Sequence, residues 1–237
     1  MIHDKIKNII LSYYIDNRIK NINKVQQNPF SYQKKVLKKL LSKSLNTEFG
    51  IEHKFDEIND FDSFKKNIPL RTYEEFFKYI KKCKSGTKNI LWPGKIKWFA
   101  KSSGTTNSNS KYIPVTQDSL NKCHYKVGKD MLSLYSHNYP NKKKLYNGYG
   151  LMLGGSLSKG NQSYLEGDLS AILLENFPFW VKYHRLPDYS TSIMHNWKEK
   201  IERISNQVID KNITNLTGVP SWMLILLQTI LKKSGKK

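Results

Sequence analysis

The residues best suited to chemistry lie in residues 101–115, which read K-S-S-G-T-T-N-S-N-S-K-Y-I-P-V. Two serines, a glycine and two threonines occupy consecutive positions, and Lys111 follows a polar turn. Backbone N–H groups and hydroxyls in such a turn bind anions such as phosphate, and the lysine adds a point charge. Gly104 lets the backbone approach a phosphate closely. The alternative is an ordinary solvated turn, because serine- and threonine-rich turns are common.

Apolar residues on both sides of this turn predict the two strands of a hairpin. Trp98, Phe99 and Ala100 precede the turn, and Tyr112 with Ile113 opens the segment that follows it. Aromatic and β-branched residues around a cluster of turn residues are typical of paired strands. The candidate anion-binding residues are therefore expected at a hairpin tip.

The first third of the chain is predicted to be helical. Apolar residues recur at helical spacing in residues 2–13 and 36–45, and Pro29 separates the two helices. Residues 60–66 are interpreted as a short helix that Pro69 ends. Thr72 followed by Glu75 has the form of a capping box, which opens a helix to about residue 82.

Strands and helices are expected to alternate from about residue 95 onward. A helix is predicted from residue 116 to about residue 135, and an amphipathic helix within residues 194–210. Ser221 is expected to cap a final apolar helix after a turn at residues 218–220. The remaining strands are predicted at residues 149–154, 169–174 and 213–217. Helices first and alternating elements later predict the α/β class.

Composition indicates a globular protein. The chain has 237 residues, of which 38% are hydrophobic. Its longest apolar stretch, residues 222–227, is too short for a bilayer span, and the first residues do not resemble a secretory signal. Cys83 and Cys123 form no C-x-x-C pair, so no metal site is predicted. We therefore expect a reduced, cytoplasmic protein with no membrane partner.

The net charge of +21 leaves a second class of function open. A basic protein that binds nucleic acid or acidic surfaces without catalysis has such a charge. The lysines are spread along the whole chain, however, and no helix-turn-helix, zinc finger or aromatic RNA-binding signature accompanies them. We expect no specific nucleic-acid partner.

Six blocks of sequence resemble the auxin-responsive acyl-acid amido synthetase family, a branch of the adenylate-forming enzymes. The turn and the strand after it resemble the ATP-phosphate loop of that family. The similarity runs from about Asn28 to the last residue, and the blocks resemble the bacterial branch of the family. The six blocks are residues 46–50, 68–73, 91–100, 102–106, 111–114 and 217–222.

The resemblance implies an ATP-dependent ligase that forms an acyl-adenylate with MgATP and passes the acyl group to an amine or amino acid. Its small-molecule substrates are then a carboxylic acid and that amine. An adenylate-forming ligase with a thiol acceptor such as coenzyme A is the nearest alternative. The fold expected is the N-terminal part of one large domain: residues 1–85 mainly helical, and residues 86–237 an incomplete α/β sheet region without the small C-terminal domain.

The resemblance also implies site residues, although it singles out no catalytic residue. The phosphate-binding set consists of Ser102, Ser103, Gly104, Thr105, Thr106 and Lys111. Asn107 stands where most relatives carry glycine, a mild departure. The acyl-substrate pocket is expected to involve His124, Tyr125, Gly218 and Val219.

Two motifs of the family's nucleotide site are displaced in this chain or absent from it. Residues 164–168 have the form of a Tyr-x-x-Gly-Asp motif whose aspartate holds ribose, but they follow the turn too closely, so we interpret Asp168 as structural or part of the acyl site. The family's Ser-Glu dipeptide for adenine and Mg²⁺ is absent from the sequence. We therefore expect this chain to carry half of a nucleotide site and to be inactive without a further C-terminal polypeptide. The chain is then a fragment of a longer protein, a truncated gene product or an inactive remnant.

Overall fold

The computed structural model describes residues 2–102, 110–139, 145–160 and 164–235. It divides the chain into two compact units, one formed by residues 1–97 with 116–140 and the other by residues 98–115 with 141–237. All strands of the described residues belong to the second unit. The boundary expected near residue 85 stays a prediction. Within the described ranges, no helix has both the length and the apolar character to cross a membrane.

The first unit begins with five helices. They are α1 (Ile2–Gln27), α2 (Pro29–Ser44), α3 (Glu48–Glu52), α4 (Phe61–Asn67) and α5 (Tyr73–Lys84). Pro29 is the first residue of α2, where its missing N–H costs no helical hydrogen bond. The predicted capping box is confirmed, because Glu75 N donates to Thr72 Oγ1 at 3.3 Å and Thr72 N donates to Glu75 Oε2 at 2.6 Å.

A third long helical stretch completes the first unit. It consists of α6 (Gln117–Ser119), a π-helical segment (Leu120–His124) and α7 (Tyr125–Asn138). Thr116 caps its start by accepting a 3.0 Å hydrogen bond from Ser119 N. This confirms the predicted helix, which continues beyond residue 135 and contains a π-helical segment that was not predicted. Helix α7 packs against α1, where Arg18 pairs with Asp130.

The second unit contains a four-stranded sheet built from two hairpins. Its strands are β1 (Trp98–Lys101), β2 (Tyr112–Val115), β4 (Leu157–Lys159) and β5 (Leu165–Gly167), in the order β2-β1-β5-β4. The pairs β1/β2 and β4/β5 are antiparallel, whereas β1 and β5 are parallel. The predicted hairpin around the serine- and threonine-rich turn is therefore confirmed, and a second hairpin lies beside it.

A parallel three-stranded sheet forms the other half of this unit. Strand β3 (Tyr149–Leu153) lies between β6 (Arg185–Leu186) and β7 (Ile213–Gly218). The accompanying helices are α8 (Leu169–Glu175), α9 (Phe179–Lys182), α10 (Tyr189–Ser192), α11 (Trp197–Val208) and α12 (Pro220–Ser234). Strand β3 packs against α11 and α12 in a core formed by Leu151, Leu153, Ile201, Ile204, Val208, Met223 and Leu226.

Two predicted details are wrong. Residues 169–174 form helix α8 rather than a strand, because Ala171, Ile172 and Leu174 are buried together at helical spacing. Ser221 does not cap the last helix, since α12 already begins at Pro220 and Val219 is the N-cap residue. A proline fits the first position of a helix, which moves the start two residues earlier than predicted.

Asp118 joins three segments of the first unit through its carboxylate. It pairs with Lys43 of α2, lies 2.5 Å from the Lys122 ammonium, and accepts a 3.1 Å hydrogen bond from the Trp92 indole. The hydrogen bond from Lys122, followed by that from Lys43, holds the pKa of Asp118 well below its ordinary value of 3.8. The ionised form is therefore stabilised by folding.

We expect Asp118→Asn to reduce the free energy of unfolding at pH 7 by about 1 kcal/mol, a value lowered by solvent screening of a partly exposed group. A pKa that is lowered by folding stabilises the protein at pH values above the pKa of the unfolded state, and this stabilisation is lost in acid. The wild type should therefore lose stability more steeply than Asp118→Asn below about pH 4. Urea unfolding at pH 7, 5 and 3 measures both effects. Asp56→Asn changes an exposed carboxylate of the same unit and should do neither.

Candidate functional site

The base of the first hairpin is closed by Ser102 and Lys111. Ser102 N donates to the Lys111 carbonyl at 2.9 Å, and Lys111 N donates to Ser102 Oγ at 3.2 Å. The Ser102 hydroxyl therefore ties residue 102 to the backbone of Lys111. We call residues 102–111 the serine–threonine turn. Four predicted phosphate ligands lie outside the described residues: Ser103, Gly104, Thr105 and Thr106.

The serine–threonine turn leaves the sheet at the carboxyl end of a parallel strand pair. Ala100 of β1 is paired with Gly167 of β5, so the segments after both strands lie at one edge. Leu157, the first residue of β4, is also paired with Gly167 and brings the segment before β4 to the same edge. Ligands of parallel sheets bind outside the carboxyl ends of the strands. This edge is the candidate ligand site.

Gly154, Gly155 and Ser156, here called the glycine segment, connect β3 of one sheet to β4 of the other. Ser156 N donates to the Asp168 carboxylate at 2.9 Å, and Asp168 N donates to the Ser156 carbonyl at 3.0 Å. Gly155 N donates to Ser170 Oγ at 3.0 Å. The backbone and side chain of Asp168 both hold this segment, which is the structural one of the two alternatives given for this residue.

Lys200 supports the glycine segment from helix α11. Lys200 is buried, with only 2% of its surface exposed. The ammonium donates to the carbonyl of Gly154 at 2.7 Å and to that of Gly155 at 2.9 Å. Burial lowers the pKa of Lys200 to about 8, and the negative charge of Asp168 acts in the opposite direction.

The position of Lys200 in the sequence could have indicated that it is buried. Lys200 lies three residues after Trp197 and four before Ile204, so it shares the apolar face of the amphipathic helix. A lysine on the buried face of such a helix must find hydrogen-bond acceptors in the interior. The spacing could therefore have singled it out, although not its acceptors.

Lys101 and Glu166 form an ion pair across the parallel strands. Their side chains are 3.0 Å apart, and the Lys101 ammonium also lies over the Tyr112 ring at 5.5 Å. The hydrogen bond to Glu166 is the main reason that the pKa of Lys101 is raised. A positive charge is thus held at the strand position next to the serine–threonine turn. Sequence reasoning did not assign these residues to the site.

Gly218 and Val219, both predicted for the acyl pocket, lie at the carboxyl end of β7. Gly218 is paired with Leu153, the residue before the glycine segment. Val219 is 47% exposed, and its carbonyl accepts a 2.9 Å hydrogen bond from Met223 N at the start of α12. The carboxyl ends of the two sheets are therefore linked by the glycine segment, with the serine–threonine turn on one side and Val219 on the other.

His124 and Tyr125, the other predicted pocket residues, belong to the helical unit. His124 ends the π-helical segment, and Tyr125 N donates to the Leu120 carbonyl five residues earlier. Burial raises the pKa of Tyr125 to about 12, so its hydroxyl stays protonated at neutral pH. Single π turns inside helices are frequent at functional sites. The pocket role of both residues stays a prediction.

This chain shares its fold with solved structures of acyl acid amido synthetases. The structure of AtGH3.15 acyl acid amido synthetase in complex with 2,4-DB aligns with 92% of the chain at a TM-score of 0.74 and 20% sequence identity. The chain covers 38% of that protein. At this level of identity the likeness establishes the fold, an α/β architecture with a helical first part.

The sequence matches the GH3 family N-terminal domain over residues 18–155, and the chain belongs to this family. Indole-3-acetic acid-amido synthetase GH3.2 of Arabidopsis thaliana is 30% identical over 131 residues, which is 54% of this chain and 24% of that protein. GH3.4 of the same plant, also named an indole-3-acetic acid-amido synthetase, is 32% identical over 105 residues, 44% of this chain and 18% of that protein.

Membership of the family confirms the resemblance drawn from the sequence blocks. The chain spans well under half the length of these relatives, from 18% to 38% in the alignments given above. The closer likeness to a bacterial branch stays a prediction, and so do the roles of individual site residues.

We expect Gly155→Ala to lower the free energy of unfolding by about 1–3 kcal/mol, since a Cβ at this position would overlap the Asp168 carboxylate and force the segment to shift. Gly128→Ala is the matched control, because a Cβ on that helical glycine meets no atom within 4 Å. It should raise stability by up to about 1 kcal/mol through helix propensity. Equal effects of the two substitutions in thermal unfolding would contradict the close approach at Gly155.

Proposed function

We propose that this chain provides the phosphate-binding part of an ATP-dependent acyl-acid amido synthetase. The observation that carries the proposal is the closed serine–threonine turn at the carboxyl edge of the β1/β5 pair, in a chain of the GH3 family. A turn of this composition presents hydroxyls and backbone N–H groups to anionic oxygens. The sheet edge is where parallel strands receive a ligand.

The proposed reaction has two steps. A carboxylate oxygen of the acid attacks the α-phosphorus of ATP, the bond to the β-phosphate oxygen breaks, and pyrophosphate leaves. An amine then attacks the acyl carbon, AMP leaves with the electrons of the acyl–oxygen bond, and the amine loses a proton. The protein's task in the first step is to neutralise and orient the triphosphate, since both accelerate phosphoryl chemistry.

In this proposal the serine–threonine turn holds the β- and γ-phosphates. The Ser102 hydroxyl sets the base of the turn, and Ser103, Gly104, Thr105 and Thr106 supply phosphate contacts. Lys111 steadies the charge from the opposite strand. Lys101 contributes a second positive charge at the same strand end, balanced in part by Glu166.

Mg²⁺ fits this arrangement as an ion that enters with the nucleotide. Magnesium commonly binds through substrate phosphates with only one or two protein carboxylates. Asp168 and Glu166 are the carboxylates near the sheet edge, and both already hold protein groups. The ion would neutralise phosphate charge in the first step.

The acid is proposed to bind between the glycine segment and the Val219 turn. Val219 has an exposed apolar side chain at this end of β7. The glycine segment begins directly after Leu153, the strand partner of Gly218. His124 and Tyr125 belong to the helical unit, and their part in binding the acid stays a prediction from the family resemblance. The plant relatives are named for indole-3-acetic acid, and the structure of one relative is a complex with 2,4-DB; both compounds are carboxylic acids.

The double substitution Ser103→Ala with Thr105→Ala should weaken MgATP binding to the chain at least tenfold, because it removes two hydroxyl donors to charged phosphates. Isothermal titration calorimetry of the 237-residue chain with MgATP measures this effect. Ser110→Ala is the control, as Ser110 is an exposed serine of the same turn outside the family block. It should leave the dissociation constant unchanged.

Two results would contradict the phosphate assignment. One is equal MgATP affinity in the wild type and the double variant. The other is MgATP binding that a non-specific polyanion such as heparin displaces with a steep salt dependence, which is the behaviour of a basic nucleic-acid-binding protein. That result would favour the class of function suggested by the net charge alone.

The acceptor is proposed to be an amine rather than a thiol, since both curated relatives are named amido synthetases. We expect MgATP, a carboxylic acid and a mixture of amino acids to give amide products, and coenzyme A to give no thioester. Mass spectrometry distinguishes the products. The assay is run with the chain alone, which should give no product, and with the C-terminal polypeptide of a full-length relative added, which should give the amide. A thioester would replace this proposal with the thiol-acceptor alternative.

A further inference from the structure

The burial of Lys200 destabilises the fold unless its ammonium group makes interactions that an apolar side chain cannot make. It is 2% exposed on a helix face whose neighbours Ile201, Ile204 and Val208 are all core residues. Burial of an ammonium group is unfavourable, and a methionine would fill the same space at no such cost. What the lysine provides instead is two hydrogen bonds to backbone carbonyls of one short segment.

These hydrogen bonds complete the fixation of the glycine segment. Lys200 holds the carbonyls of Gly154 and Gly155, Ser170 holds the N–H of Gly155, and Asp168 holds the N–H of Ser156. Three side chains from helices α8 and α11 and the residue before α8 thus bind four consecutive backbone groups. A network in which every one of these backbone groups has a partner holds the segment in one arrangement.

The position of the segment explains why rigidity matters. At one end it follows Leu153, whose strand partner Gly218 precedes the Val219 turn. At the other end it precedes Leu157, whose partner Gly167 is itself paired with Ala100 just before the serine–threonine turn. A shift of the segment therefore moves the Gly218 end of β7 relative to the Ala100 end of β1.

We propose that Lys200 is a positioning residue of the ligand site, which fixes the glycine segment and thereby the spacing between the end of β1, where Lys101 and Ser102 lie, and the Val219 end of β7. This inference rests on the proposed function. It names a residue that touches neither ATP nor acid and acts through the backbone of Gly154 and Gly155. Small errors in such spacing are expensive in catalysis, because reacting groups must be held within a fraction of an ångström.

Charge at Lys200 gives an independent readout. The charged group that faces it is Asp168, whereas Glu199 and Arg203 on its own helix pair with each other at 2.7 Å on the exposed face. The pKa of Lys200 is lowered in the folded state to about 8. Since the unfolded lysine then binds more protons between about pH 8 and 10, the wild type should gain stability over that range relative to Lys200→Met.

The experiment compares Lys200→Met with Lys198→Met, an exposed lysine of the same helix, and with Lys200→Arg. Hydrogen exchange followed by NMR should show that the amides of Gly155 and Ser156 exchange at least tenfold faster in Lys200→Met than in the wild type. The reason is that the hydrogen bonds from the ammonium to the carbonyls of Gly154 and Gly155 are lost. MgATP affinity should fall about tenfold in the same variant. Lys198→Met should match the wild type, and Lys200→Arg should recover part of both losses.

Each outcome decides the inference. Unchanged exchange at Gly155 and Ser156 would overturn it, and so would faster exchange with undiminished MgATP affinity, because Lys200 would then be structural only. If Lys200→Met does not fold, Lys200→Arg and Lys200→Gln, which keep a donor, carry the same two measurements. A wild-type chain that fails to bind MgATP refutes the proposed function, while the exchange data still decide whether Lys200 holds the segment.

Discussion

The second unit depends on how three residues satisfy their backbone hydrogen bonds while passing from one sheet to another. The glycine segment leaves β3 and enters β4 with no room for side chains at Gly155, so its carbonyls and N–H groups must be satisfied from neighbouring helices. A lysine reaches two carbonyls from α11, and Asp168 and Ser170 reach the amides. Without these partners the buried connection would leave unpaired polar groups, which proteins rarely tolerate.

The parts of the fold that follow from local rules could be predicted from the sequence. Three such parts are the Thr72–Glu75 capping box, the β1/β2 hairpin and the buried face of α11. Each depends on residues fewer than 20 positions apart in the chain. Local propensity and hydrophobic spacing therefore suffice for them. Family blocks of sequence added the phosphate assignment, which composition alone left as one of two alternatives.

The parts that depend on distant residues could not be predicted in the same way. The run at residues 169–174 is apolar at nearly every position, so its period does not distinguish a buried strand from a buried helix. The carbonyl acceptors of Lys200 are 45 and 46 residues away in the chain. The parallel pairing of β1 with β5 likewise joins strands that no local pattern connects. Candidate residues at the sheet edge are visible in sequence, but their supports are not.

The arrangement of the four-stranded sheet also implies an order of assembly. Each of its two hairpins is local in sequence and can close within microseconds, whereas the parallel contact between β1 and β5 must wait for the whole intervening chain. On the ribosome, the β1/β2 hairpin therefore emerges with one unpaired edge on β1 until β5 has been synthesised. An exposed strand edge is a template for pairing with other chains. Translation speed across residues 116–164 thus bears on how much of this protein reaches its native state before it can aggregate.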